Sequence, residues 1–266
     1  MLHGDALSVT AGASLQRAES RQDLPSLPVL SWTPEQAQAW FCQEALTTPP
    51  ADLAEPLTLS WFLALEYHRH HRQGRWLMQA LEFTQHRGET VIAVGCGLGT
   101  DWVQYARHGA RVVVCCPDAE ELIIARHHFA LRGLGGIFLH APQPPLTLPD
   151  AFADLVCLNE MLANQGWAPQ WLGEVHRLLK PGGKLLLIER LPVGCYWAGQ
   201  RLARRILPLL SAFEDVRYRR YHLRRCELPW YWRWLPRRWL ERFLGRFLLI
   251  KACKPVLHVN LLAQAA

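Results

Sequence analysis

A doubly wound α/β fold with a mostly parallel sheet is predicted by three observations. The apolar run Thr90-Val-Ile-Ala-Val94 ends in the closely spaced glycines Gly95, Gly97 and Gly99. A second β-branched run, Arg111-Val-Val-Val-Cys-Cys116, stops at Pro117. Beyond it, helical and strand-like stretches alternate at the spacing of crossover units, which places helices on both faces of one sheet.

Each element has its own warrant. Residues 31–50 carry Trp, Phe and Pro without clear periodicity and read as an irregular arm. Residues 57–83 read as helical, with Trp61, Leu65, His68 and Arg72 at helical spacing. The first strand turns at the glycines into a helix over 100–108, with Asp101 in its first turn and Gly109 just beyond it. Glycines in such a turn let the backbone approach a ligand, and the helix points free N–H groups at it. The spacing is G-x-G-x-G rather than G-x-G-x-x-G, and no acid ends the following strand, which disfavours a nicotinamide dehydrogenase. A helix over 119–132, a short strand Ile137-Phe-Leu-His140 and a Pro-rich loop 142–149 follow. Then come a strand Ala153–Asn159, a helix from Ala168 to Leu179, and a turn Lys180-Pro-Gly-Gly183 that reverses the chain into a fifth strand, Lys184–Glu189. The ligand crevice is expected beyond the carboxyl ends of these strands, where Gly95 to Gly99, Cys116, His140 and Asn159 meet.

Length and composition set the frame. With 266 residues, half of them hydrophobic, the chain suits one α/β domain with extensions. The arm occupies 1–50, the core 51–200, and a basic, Trp-rich lid with the last strands 201–266. Formal net charge is +6, and Arg201, Arg204, Arg205, Arg217, Arg219, Arg220, Arg224 and Arg225 crowd the last third. That patch reads as an acidic-partner surface or, more commonly, as a solvated face. The eight cysteines show no C-x-x-C and no framework, as in a reduced, cytoplasmic protein. The first thirty residues lack the apolar core of a signal peptide, and no apolar run reaches membrane-spanning length. Leu228 to Phe247 mixes Trp, Leu and Arg in a way that suits either membrane-surface contact or a lid packed on the protein's own core. Pro229 and Pro236 favour the lid. Adjacent histidines such as His70-His71 and His127-His128 point about 100° apart on a helix, and no cysteine pair joins them, so no metal site is expected.

Three pieces in this order and spacing carry a resemblance: Val94-Gly-Cys-Gly-Leu-Gly99, the Ala153-Asp-Leu-Val stretch leading to Asn159-Glu160-Met161-Leu162, and Glu174-Val-His-Arg-Leu-Leu-Lys-Pro-Gly-Gly-Lys184. From about Thr90 to Arg190 the chain resembles the class I S-adenosylmethionine-dependent methyltransferases, and most closely their small-molecule branch, where a helix bearing Glu66 and Arg69 precedes the glycine strand. The resemblance implies a seven-stranded sheet, S-adenosylmethionine as cofactor and a small-molecule acceptor methylated on O, N or C by in-line displacement. Nucleic acid is not the expected partner. It implies cofactor contacts from Val94, Gly95, Cys96, Gly97, Gly99, Cys116, Pro117, Asp118, His140, Asn159 and Arg69.

Three acids customary in the family are replaced, by Ala93, by Cys116 and by His140, with Asp118 two residues beyond the second of these. A degenerate, non-catalytic binding subunit is therefore the alternative reading. Glu160 is the candidate catalytic acid, against a helix-start acid facing solvent. Arg69 pairs with the cofactor carboxylate or lies on an exposed helix face. Tyr196 and Trp197 cover the acceptor or belong to the core.

Overall fold

The computed structural model describes residues 32–50, 52–95, 97–161, 168–191, 196–223, 230–232 and 234–256. Seven strands form one sheet: β1 Thr90–Val94, β2 Arg111–Cys116, β3 Ile137–His140, β4 Ala153–Asn159, β5 Leu179–Arg190, β6 Glu214–Tyr221 and β7 Phe247–Cys253. Their order is β3-β2-β1-β4-β5-β7-β6. The first five run parallel, while β7 is antiparallel to both β5 and β6. The order reverses between β1 and β4, and in open α/β sheets that switch point opens a crevice at the strand ends.

Successive strand residues face opposite sides of the sheet, which gives two cores. Ile92, Val94 and Cys115 pack on one side with Trp171, Val175 and Ile206, from helices α6 (Ala168–Leu178) and α7 (Tyr196–Ile206). Val91, Ala93 and Cys116 pack on the other with Leu77, Trp102 and Phe129, from α3 (Arg75–Ala80), α4 (Thr100–Arg107) and α5 (Ala119–Leu131). Cys115 and Cys116 thus belong to different layers, as neighbouring strand residues must.

The segment read as an irregular arm holds a helix, α1 (Pro34–Ala45). Thr33 caps it: its hydroxyl accepts from Gln36 N, and the Gln36 side chain accepts from Thr33 N at 2.9 Å, with Pro34 opening the first turn. This reciprocal cap holds α1 without a strong apolar stripe. Phe41 of α1 packs with Trp61 and Phe62 of α2 (Leu59–Glu66) and with Ile124 of α5, forming a third apolar cluster over the glycine turn.

The helix expected over 57–83 is interrupted. After α2 the chain runs as a π-helical turn, Tyr67–Gln73, before α3. The extra residue in a π turn shifts the phase of the side chains. Arg69 and His70 are therefore buried, while Arg72, which the α-helical spacing placed with Trp61, is exposed. The Lys180–Gly183 turn is likewise absorbed into β5, where an irregularity in the pairing with β4 accommodates it.

Candidate active site

The glycine turn is pinned from below. Gly95 N donates to Cys115 O at 3.0 Å, and the Gly95 carbonyl accepts from Nε1 of the buried Trp102 at 3.1 Å. Gly95 has φ +87°, and a Cβ there would collide with the carbonyl oxygen of Asn159. The turn at the end of β1 therefore approaches the end of β4 as closely as backbone allows.

Two carboxylates that the sequence reading did not single out meet this turn. Gly97 N donates to Glu121 Oε2 at 3.2 Å, and Leu98 N donates to Glu44 Oε1 at 3.3 Å. Gly97 has φ +49°, and a Cβ on it would strike the Glu44 carboxylate. Burial, reinforced by the charges of Asp118 and Glu44, raises the carboxyl of Glu121 above its usual range; burial also raises Glu44. Thr100, the first residue of α4, has its hydroxyl buried without a partner among the described residues.

The expected cofactor residues gather around this turn with two changes of role. Register pairs Val94 with Cys115 and Leu158, and Cys116 with His140, so the ends of β1 to β4 lie side by side. His140 is exposed, and its Nε2 lies 3.1 Å from the Pro117 carbonyl oxygen. Asp118 Oδ1 accepts from Glu120 N at 2.8 Å and Glu121 N at 3.1 Å, so Asp118 is the N-cap of α5. Glu121, one turn on, takes the inward place: Cys116 Sγ donates to its Oε2 at 3.5 Å. Cys96 lies outside the described residues, as do the side chains of Tyr196 and Trp197.

These residues fit the cofactor that the sequence resemblance implies. S-adenosylmethionine presents an ammonium, a sulfonium and a ribose diol, which are cations and donors. Glu44 and Glu121 would supply carboxylate acceptors where Ala93, Cys116 and His140 have none. Replacing Glu121 by Gln keeps the shape and removes the charge; cofactor affinity is expected to fall roughly tenfold, about 1.4 kcal/mol, in a calorimetric titration. An unchanged affinity would exclude Glu121 from the pocket.

Arg69 is buried rather than displayed on a helix face, and it braces the site from behind. Its Nε donates to Asp101 Oδ1 at 2.7 Å and Nη2 to Oδ2 at 2.5 Å; Nη1 lies 3.1 Å from Glu44 Oε2. His70 Nε2 adds a bond to Asp101 Oδ1 at 2.8 Å. Burial opposes the Arg69 charge, but Asp101 and Glu44 outweigh it and hold the guanidinium above its ordinary value. Burial likewise opposes ionisation of Asp101, yet Arg69 and His70 hold that carboxyl well below the usual range. A second buried carboxylate behaves alike. Glu66 would be raised by burial, but bonds from His128 and Arg132 bring it down.

A carboxyl whose folded pKa is depressed contributes stability that is present above its unfolded value and lost as pH falls through the folded one. Wild type and Asp101→Asn should therefore differ most in urea midpoint above about pH 5, and the gap should narrow progressively as pH falls below about 4. A gap independent of pH would show that Asp101 is not ionised in the folded protein.

Glu160 is placed at the carboxyl end of β4 with φ +54°, and its backbone N donates to Ile188 O at 2.8 Å. A non-glycine residue in this conformation is uncommon and clusters at functional sites. It is half-buried and starts no helix among the described residues; Oε1 accepts from Arg190 Nε at 3.1 Å and lies 3.0 Å from Nη2. Residues 162–167, which would carry a helix started at Glu160, lie outside the described residues.

Comparison with known proteins agrees with this geometry. A family profile described as a methyltransferase domain matches residues 92–187. The demethylmenaquinone methyltransferase of Thermus thermophilus is 29% identical over 153 residues, covering 55% of this chain and 70% of that one. A ubiquinone/menaquinone biosynthesis C-methyltransferase of Escherichia fergusonii is 30% identical over 108 residues, 39% of this chain; the match spans 43% of that relative's length. In fold the chain is similar to the [4+2]-cyclase SpnF, with a TM-score of 0.52 at 19% identity over 85% of this chain and 98% of that one. Residues 92–187 match a methyltransferase domain, and the glycine turn, the sheet order and these matches together support the class I S-adenosylmethionine-dependent methyltransferase superfamily.

Proposed function

We propose that the protein methylates a small-molecule acceptor, of the quinone-like class that its relatives' names carry, on a carbon or oxygen nucleophile. The observation that carries the reading is the pair of carboxylates, Glu44 and Glu121, on the backbone N–H groups of Gly97 and Leu98. They restore acid to a pocket whose customary acids are absent. When bound, the cofactor supplies a methyl group already activated on a sulfonium, so the protein has mainly to align the reactants.

Gly95, Gly97, Gly99 and Glu121 would hold the cofactor, and Arg69 keeps Glu44 at the turn. Glu160, held through Oε1 by Arg190, takes the proton that the acceptor gives up. Replacing Glu160 by Gln is expected to lower kcat by roughly 10²-fold or more while leaving cofactor affinity within about threefold. Equal loss in both would make Glu160 a cofactor ligand instead.

One observation favours a second reading. Glu44 fills the space a side chain at Gly97 would take. The second reading is a non-catalytic binding subunit. Calorimetric titration with S-adenosylmethionine and S-adenosylhomocysteine, with a Gly97→Arg variant as control, separates the two. Micromolar binding lost in the variant supports the enzyme. No binding at millimolar ligand supports the subunit.

A further inference from the structure

The aromatic residues expected to pack as a lid face solvent instead. Trp230 is 73% exposed, Tyr231 56%, Trp234 85% and Trp239 55%, within ten residues of chain. Helix α8 (Arg237–Leu244) is held to the protein by Leu240, which packs with Leu223 and Leu244, and by Gly245 O accepting from Arg220 Nε at 3.0 Å. Trp239 and Phe243 stack edge-on, 5.1 Å apart, and Trp239 and Arg242 face outward.

Beside this helix, between α7 and β6, lies a cavity of about 870 Å³. Arg204, Arg217, Arg219, Arg220 and Arg242 line it, and among the described residues no acid does; Leu207 and Leu248 contribute apolar wall. Arginine on β6 also guards the free edge of the sheet against pairing. Edge protection leaves the neighbouring tryptophans unexplained.

We infer that this face docks on an anionic phospholipid surface, with Trp230, Trp234 and Trp239 entering the interfacial layer and the arginine-lined cavity receiving lipid phosphates. Trp carries an apolar body with a polar N–H and concentrates at membrane interfaces; Arg keeps its charge at headgroup level and pairs with phosphate. No helix among the described residues is long and apolar enough to cross a membrane, so the contact is peripheral.

Its placement is functional. Tyr221 of β6 pairs with Phe247 of β7, which pairs with Arg190 of β5, so β6 finishes at the same end of the sheet as the end of β4 that leads to Glu160. The docking face thus sits on the side where the cofactor crevice opens. The lipid contact itself stands whether or not the protein transfers methyl groups.

The test is flotation of the full-length protein with vesicles of phosphatidylcholine alone and of phosphatidylcholine mixed with phosphatidylglycerol. Binding to the mixed vesicles should be at least about tenfold tighter and weaken with salt. Trp234→Ser/Trp239→Ser should lose about tenfold on mixed vesicles. Arg204→Gln/Arg217→Gln/Arg219→Gln/Arg242→Gln should erase the preference for the anionic lipid. None of the six residues is placed in the cofactor or catalytic machinery, and unchanged thermal melting of both variants confirms that folding is intact. Equal flotation with both vesicle types, flotation unaltered in the variants, or binding to single-stranded RNA without any to vesicles would each overturn the inference.

Discussion

Replacing Arg69 by Met is expected to lower the unfolding free energy by about 3–5 kcal/mol, the usual cost of removing one partner from a buried ion pair. The reason lies in what remains. Asp101 and Glu44 would both stay buried, with His70 as the nearest donor to Asp101 and none of that strength for Glu44. The Met stem occupies a similar volume, so the loss is electrostatic rather than a cavity. A double variant, Arg69→Met/Asp101→Leu, should recover part of the stability because the uncompensated charge at 101 disappears with it. Urea unfolding of the three proteins provides the measurement. A loss below about 1 kcal/mol for the single variant would mean that water replaces Arg69 at little cost. Because Arg69 also holds Glu44 near Leu98, cofactor affinity should fall in the same variant.

Gly95→Val is expected to have the other large effect. At φ +87° a β-branched residue is strained by about 1–3 kcal/mol on backbone grounds alone. Its Cβ would also collide with the Asn159 carbonyl, which must then move away with the end of β4. Since Glu160 follows directly, the shift separates the cofactor turn from the proposed proton acceptor. Cofactor affinity should drop by more than about tenfold, and residual activity should fall further than affinity does. Binding and turnover at wild-type levels would show that the contact between β1 and β4 is not part of the site.

The sheet core was legible because its signals are local. Thr90–Val94 and Arg111–Cys116 are short β-branched runs closed by Gly or Pro, and the structure places strands at both. The arm was misread because Thr33-Pro-Glu-Gln36 is a capping signal, whereas apolar periodicity was the feature sought. Glu121 was hidden for a related reason. Asp118 followed three residues later by Glu121 reads as a cap with a reciprocal acid, but only the Asp caps, and Glu121 turns to Gly97 and Cys116. Arg69 could not be placed at all from a period of 3.6, since a π turn intervenes and its partners lie 25 and 32 residues away. The lid misjudgement had a different origin: Pro236 does mark the start of α8, yet where a helix begins says nothing about which face meets water.

The antiparallel strand β7, inserted between β5 and β6, has a consequence for synthesis. β6 has one neighbour in the sheet, and that neighbour is made after it. While the ribosome is still translating residues 222–246, β6 has no strand to pair with, and β5 presents a bare edge of backbone groups. The five parallel strands can associate during elongation, but the sixth waits for the seventh. Assembly of the sheet is therefore out of order with translation, and its final step joins two strands at once.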